Sequence, residues 1–278
     1  GEVQRLLDER TSTGWKVTKA YWLSSFGVNE RQVKQYCHGR VMLVGDAAHV
    51  HSPAGGQGMN TGMQDALNVG WKLALVMRGG AEPSLLETYH DERHPIGEHV
   101  VQGSARLLKA ATVSSKLAQA ARNTIVHFAM GVPAVRHRFR EALAEDDLHY
   151  RRSRLVDGSG TKKLQSGDVL PNTLVEVDGE FVSLYHLLRG HCATVLVVGS
   201  STPYGIPDRF GIDDAGLPID VCRIGPGGDA LDPDGHTSRL LGGKGSIVLV
   251  RPDAIVATMA HSVEAVSVWI ADRLLAKK

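Results

Sequence analysis

The 278-residue chain is poor in cysteine, with Cys37, Cys192 and Cys222 alone. An odd number without metal-ligand spacing argues against both a secreted disulfide framework and a cysteine-based metal site, so no metal is expected and a reducing cytoplasm is the expected setting. No Cys-x-x-Cys occurs, which excludes thiol-exchange chemistry on the residues themselves. Aromatics make up 5%, and acidic and basic residues nearly cancel to a net charge of +1. With no basic block interleaved with aromatics, neither nucleic acid nor an anionic membrane is expected as partner. Nowhere do about 18 apolar residues run together, and no charged segment followed by an apolar core opens the chain, so neither a membrane span nor an export signal is indicated. The 42% of hydrophobic residues can bury a core, and the length suits two domains.

The most informative stretch runs from Gly45 to Gly62, GDAAHVHSPAGGQGMNTG. Val41, Met42, Leu43 and Val44 form a short apolar run that predicts a buried strand over 40–45, closing at Gly45. Asp46 then stands at the carboxyl end of that strand, where open α/β sheets place ligand contacts. Pro53, Gly55, Gly56 and Gly58 follow in a loop with little Cβ cover, which lets a flat ligand or a diphosphate approach the backbone. A long helix from 57 is predicted next. Its apolar residues Met63, Ala66, Leu67, Trp71, Leu73, Ala74, Leu75 and Val76 are assigned mainly to one stripe, and Gly79-Gly80 ends it. The N–H groups of its first turn, at Gly58, Met59 and Asn60, suit an anionic or electron-rich ligand edge. On physics alone the same layout also fits a tight turn in an ordinary α/β domain.

Gly45-Asp46-Ala47-Ala48-His49, Pro53, Gly55-Gly56-Gln57-Gly58, Asn60, Gly62, Asp65-Ala66, Asn68 and Trp71-Lys72-Leu73 together resemble the second flavin-binding motif of the single-component FAD-dependent aromatic-ring hydroxylases. These include para-hydroxybenzoate, phenol, polyketide and rifampicin hydroxylases. Downstream, Tyr89-His90-Asp91-Glu92-Arg93-His94-Pro95 is similar to the family's Tyr-x-x-Glu-Arg-x-Pro segment. The resemblance implies FAD as cofactor, NAD(P)H as co-substrate, and hydroxylation of a phenolic or polycyclic aromatic substrate with O2 through a flavin C4a-hydroperoxide. It also implies that Gly45, Asp46, Pro53, Gly55, Gly56, Gln57, Gly58, Met59 and Asn60 contact the cofactor, with Asp46 holding the ribityl chain. Pro53 and Ala54 would line the ring near the oxygen-reacting edge while Gly55 and Gly56 permit its close approach, and Pro53, Ala54 and Gly55 are the catalytic candidates.

The fold class expected is α/β: the C-terminal part of a para-hydroxybenzoate-hydroxylase-like FAD domain over 1–150, a linker over 151–168, and a thioredoxin-like α/β domain over 169–278. A homodimer is compatible with that tail. Residues 14–26 are expected to hold a strand pair or one long strand. After the flavin helix, a second helix from Pro83 interrupted at Pro95, a third from about Gly97 to Met130 and a fourth after Pro133 are expected. Strands are predicted at Val175 to Val177, Ala193 to Val198, Val221 to Ile224, Ser246 to Val250 and Ile255 to Met259, with a final helix from Ser262 to Leu275. A GxGxxG opening unit for the ADP half of FAD does not occur, so the chain is expected to be the C-terminal half of a monooxygenase and inactive alone. A truncated, non-catalytic homologue or accessory protein, or an FAD enzyme that halogenates, epoxidises or dehydrogenates, are the alternatives.

Gly225-x-Gly227-x-x-Ala230 fits the dinucleotide pattern formally, but Pro233 and Gly235 break any helix there and a turn is expected. His90 and His94 lack the zinc-site context and are read as packing or surface histidines. His49 is read as a structural neighbour of the motif with a proton-transfer role left open, Arg93 as the partner of an acid. The run Arg136, His137, Arg138 and Arg140, balanced by Glu141, Glu145, Asp146 and Asp147, is read as a solvated helix face.

Overall fold

The computed structural model describes residues 1–274 apart from 12, 25–26, 28, 54–55, 114, 137–147, 200–208 and 211–214. Helix α1, Glu2–Arg10, opens the chain and buries none of its residues. The strand expected over 14–26 is not formed among the described residues, which are irregular and exposed up to residue 24. A strand needs a neighbour for its N–H and C=O groups. Here the backbone ties run to α1 instead: Gln4 Nε2 donates to the Trp15 carbonyl at 3.0 Å and Gln4 Oε1 accepts from Val17 N at 2.7 Å.

Four two-residue strands follow: β1 (Arg31–Gln32), β2 (Cys37–His38), β3 (Val41–Met42) and β4 (His49–Val50). β2 pairs antiparallel with β3, and β1 with β4. The strand predicted over 40–45 is thus confined to Val41–Met42. Leu43 and Val44 leave the ladder to pack with Tyr36, Val69 and Tyr89, and Leu43 is fixed there by its N–H to the Tyr36 carbonyl (2.9 Å) and its carbonyl to Tyr89 Oη (2.8 Å).

The helical part comprises α2 (Gly58–Met77), a 3-10 turn (Pro83–Leu86), α3 (Glu87–Ala111) and α4 (Lys116–Gly131). Pro95 lies inside α3 and does not interrupt it. It removes one helical N–H, while Gln32 Nε2 donating to the His94 carbonyl (2.7 Å) ties that turn to β1. The break in the helix expected from Gly97 to Met130 falls at 112–115 instead, where the Ser115 side chain caps α4. Helix resumes at Pro133, but most of the charged run beyond it, from His137 to Asp147, lies outside the described residues.

Residues 151–168, expected as a linker, are packed, together with 148–150 before them. His149 bridges to Asp168, Arg151 forks onto the Asp168 carboxylate at 2.6 and 2.9 Å, and Ser153, Leu155, Leu164 and Ser166 are buried. Strands β5 (Leu174–Val177) and β6 (Glu180–Ser183) form a hairpin closed by Asp178 and Gly179, both left-handed, as a two-residue hairpin turn requires. Then come β7 (Ala193–Val198), β8 (Arg209–Phe210), β9 (Leu217–Ile224), α5 (His236–Leu240), β10 (Ile247–Val250), β11 (Val256–Ala260) and α6 (Val263–Leu274). Between β9 and α5, the Gly225 to Ala230 run closes on itself through Gly225 N to the Ala230 carbonyl (2.9 Å), a turn with no helix for a nucleotide.

The sheet order is β11-β10-β7-β9-β8, with β7 parallel to β9 and the hairpin β10–β11 antiparallel beside β7. This is the thioredoxin-like arrangement. All six residues of β7 are buried, as an apolar run covered on both faces must be. Leu196, Val198, Val248 and Val250 face Leu164, Leu170 and Leu184. On the other face, Ala193, Val195, Val197, Ile247 and Leu249 share one core with Val266, Trp269 and Ile270 of α6 and with Trp71 and Leu75 of α2. Helix α2 therefore belongs to the core of the C-terminal sheet. No helix among the described residues is long and apolar enough to cross a membrane.

Candidate cofactor site

Gly45, Asp46 and Ala47 form a single 3-10 turn in which Gly45 is left-handed at φ 58°. The turn seats against the first turns of α2 at a glycine pair, since a Cβ on Gly62 would stand 3.4 Å from Gly45 Cα. Asp46 is exposed there. Pro53 and Gly56 are exposed and close a turn through Gly56 N to the Pro53 carbonyl at 3.0 Å; Ala54 and Gly55 lie outside the described residues. Gln57, half-buried, precedes α2 without capping it by a side-chain bond, and no acid sits in the first turn. Gly58 is half-buried under the His51 imidazole, Met59 and Asn60 are exposed. Of the residues singled out in the sequence, Gly45 and Asp46 thus stand on the turn against α2, and Pro53, Gly56, Gln57, Gly58, Met59 and Asn60 in the loop and first turn that open α2.

What fixes the Gly45 turn is a residue to which the sequence assigns no role. Asp65, fully buried on α2, accepts from Gly45 N (3.1 Å) and contacts His49 Nε2 (2.8 Å) with one oxygen, and accepts from Arg93 Nε (2.6 Å) with the other. Burial alone would raise its carboxyl, but the His49 hydrogen bond and the Arg93 charge outweigh burial and hold it below the usual aspartate range. With Asp65 ionised, His49 Nε2 carries the proton. Its Nδ1 is buried without a partner among the described residues, and its bond to the Asp65 oxygen that also holds Gly45 N ties His49 to the turn. Arg93 also donates to the Thr61 carbonyl (3.1 Å) and Tyr150 Oη (3.0 Å). It pairs with an acid, as expected, from within α3.

The assignment of the inner face of α2 is corrected by the structure. Met63 and Leu67 are 51% and 57% exposed, whereas Thr61, Asp65, Asn68 and Lys72 are fully buried at helical spacing. The polar stripe faces inward because its partners are there. Glu92 of α3, buried, accepts from Lys72 Nζ (2.7 Å), Asn68 Nδ2 (2.7 Å), Ser153 Oγ (2.7 Å) and both terminal nitrogens of Arg251 (2.8 and 3.0 Å). Burial opposes its ionisation, yet Arg251 and then Lys72 prevail and hold the carboxyl well below the ordinary glutamate range. Burial pushes Lys72 down to about 8, with Glu92 opposing. The signal available in the sequence was the spacing of Thr61, Asp65, Asn68 and Lys72, four polar residues along one helix face. Their partners on α3, Glu92 and Arg93, stand in the Tyr-x-x-Glu-Arg-x-Pro segment, but nothing local in the sequence pairs them with this face or with Arg251.

The His90 and His94 rings lie 4.7 Å apart, tilted by 53°, beside Tyr36, and no group of three or more ligating side chains among the described residues could hold a metal ion. The donor set fits one wall of a flavin site: an exposed carboxylate, a helix start with uncapped N–H groups, and glycines where a flat ring would approach.

The mixed α/β fold is shared with a solved flavin-dependent monooxygenase, PieE, determined with FAD and substrate. Residues 1–104 match the family model described as FAD binding domain. The chain is 33% identical over 274 residues to a flavin-dependent monooxygenase of Mycobacteroides abscessus, covering 97% of this chain and 48% of that protein. It is 36% identical over 268 residues to 6-methylpretetramide 4-monooxygenase of Streptomyces rimosus, covering 87% and 45%. Among solved structures, CabE, an aromatic hydroxylase from angucycline biosynthesis, matches with a TM-score of 0.70 at 30% identity, covering 93% of this chain and 49% of that one. The chain is similar over most of its length to FAD-dependent aromatic-ring hydroxylases, and it spans about half the length of these curated relatives.

Proposed function

We propose that this chain supplies the flavin-contacting wall of a monooxygenase that uses FAD, NAD(P)H and O2 to hydroxylate a phenolic or polycyclic aromatic substrate. The observation that carries the reading is the exposed Asp46 on a turn locked by Gly45, Gly62 and Asp65 against the uncapped start of α2. Asp46 would accept hydrogen bonds from the ribityl hydroxyls. The N–H groups of Gly58, Met59 and Asn60 would stabilise negative charge on the pyrimidine edge of the ring, in the way helix starts bind anions. Pro53, with Ala54, Gly55 and Gly56, would bound the ring on its reacting side. Bound FAD supplies the electron transfer and oxygen activation that no side chain can perform.

Asp46, Pro53, Gly56, Met59 and Asn60 all stand at the surface, an exposure that also favours a second reading, a binding homologue without turnover. The test is an FAD titration of the chain and of Asp46→Ala, read by flavin absorbance and fluorescence, followed by NAD(P)H oxidation over a panel of phenols. A hydrogen bond to a charged group contributes roughly 1.5–3 kcal/mol, so the variant should bind about 10- to 100-fold more weakly. Equal affinity would overturn the role of Asp46. Saturable flavin binding with no aromatic-stimulated turnover would favour the second reading.

A further inference from the structure

The thioredoxin-like domain has no thiol pair to give it redox chemistry, yet it sends a hairpin tip into the helices that carry the candidate site. The tip joins β10 to β11. Arg251 N donates to the Ile255 carbonyl (2.8 Å) and Ala254 N to the Arg251 carbonyl (3.0 Å), with Ala254 held left-handed at φ 61°. An L-residue adopts that conformation at a cost, which surrounding contacts must offset. Those contacts centre on Arg251. Its terminal nitrogens fork onto the two Glu92 oxygens at 2.8 and 3.0 Å, and its Nε and one terminal nitrogen reach Asp253 at 2.9 and 2.6 Å. Its guanidinium carbon lies 5.1 Å from the Trp71 ring centre and 5.5 Å from that of Tyr150. One buried side chain from the C-terminal domain therefore touches α2, α3 and the packed 148–168 segment together.

We propose that this domain acts as a clamp on the cofactor helix, with Arg251 as the positioning residue that sets where α2, and hence its first turn, lies. A planar fork bonded to two carboxylates fixes direction as well as distance, which an apolar contact of equal size does not. The fixed direction reaches the candidate site by two routes. One is α2 itself, whose residue Trp71 lies against the guanidinium. The other is Tyr150, whose ring neighbours Arg251 and whose hydroxyl accepts from Arg93, the residue that holds Asp65 and through it Gly45. The clamp concerns the helix and not the ligand, so it stands or falls separately from the flavin reading.

The experiment is hydrogen–deuterium exchange by mass spectrometry on the whole chain, comparing wild type with Arg251→Met and Arg251→Lys. In Arg251→Met, exchange over 58–77 and over 45–50 should rise at least roughly tenfold more than exchange over β7 and β9, the pattern of a local opening added to any general loss of stability. Arg251→Lys, which keeps the charge and loses the fork, should fall between. Slow exchange over 58–77 in Arg251→Met would overturn the clamp, as would an equal rise across β7 and β9, which would mark a general loss of stability. Arg251→Lys behaving as wild type would overturn the role of the fork. If Arg251→Met does not fold, Asp253→Asn retains the Glu92 pair and should raise exchange over 58–77 about threefold; an unchanged α2, or a rise shared with the sheet, then refutes the proposal.

Discussion

Replacing Glu92 by Gln is the sharpest test of the buried network on which the helices rest. The carboxylate accepts from Lys72, Asn68, Ser153 and Arg251, with Glu92 and Lys72 fully buried and Arg251 almost so. An amide of nearly the same volume keeps the packing and removes the negative charge, leaving Lys72 and Arg251 with Asp253 as their nearby buried counter-charge. Removing one member of a buried ion pair costs about 3–5 kcal/mol, because a charge is left without compensation. Urea unfolding followed by tryptophan fluorescence should show a loss of that size at unchanged m-value. The control is Glu87→Gln, which breaks the exposed pair with Arg154 (3.4 Å) and should cost no more than about 0.5 kcal/mol. A loss below about 1 kcal/mol for Glu92→Gln, or one no larger than the control's, would refute the account of a charge-dependent core.

Acid should reveal the same groups. The folded-state pKa of Glu92 lies below its ordinary 4.5 and that of Asp65 below its ordinary 3.8, so both contribute stability that is present above those values and lost as pH falls through the folded-state ones. Stability measured against pH should therefore drop below about pH 4.5 in wild type and more gently in Glu92→Gln; parallel curves would show that Glu92 is not the titrating group. Gly97→Ala would place a methyl group on the Tyr36 hydroxyl and 3.0 Å from Gln32 Nε2, and overpacking of this kind should cost about 1–3 kcal/mol in urea unfolding. An unaffected midpoint would mean that Tyr36 has room to move. Asp65→Asn should weaken the hold on Gly45 and leave the Arg93 charge uncompensated, at a cost of about 3 kcal/mol. NMR exchange of the Gly45 amide should quicken in that variant, and a Gly45 amide as slow as in wild type would remove Asp65 as the anchor of the turn.

Local chemistry was legible and distant pairing was not. The α2 start could be read because the glycines, the proline and Asp46 lie within 18 residues of one another in the Gly45 to Gly62 run, although Asp46 stands in a 3-10 turn and not at the strand end expected for it. β7 and β10 could be read because both faces are buried and their apolar runs are continuous. The first four strands are two residues each, too short for any periodicity, and the extended segment before them has no ladder among the described residues. The inner face of α2 was misassigned by following apolarity. Glu92 and Arg251, which turn its polar stripe inward, are 159 residues apart in the chain, and no window along the sequence contains both.

That inversion of α2 bears on what the helix is for. A helix meant only to fill a core would present Met63 and Leu67 inward and leave Asp65 and Lys72 to solvent, at less risk, since each buried charge is costly once its partner is lost. Here the charges are inside and each is paired in a fixed direction: Asp65 toward Gly45, His49 and Arg93, Lys72 toward Glu92. Apolar packing tolerates small slides along a helix axis, whereas a forked ion pair loses its bonds over about half an ångström of displacement. The arrangement gives up some ease of burial for a helix start held in one place; on the function proposed above, a cofactor edge that meets backbone N–H groups at hydrogen-bond distance needs that fixity more than it needs additional stability.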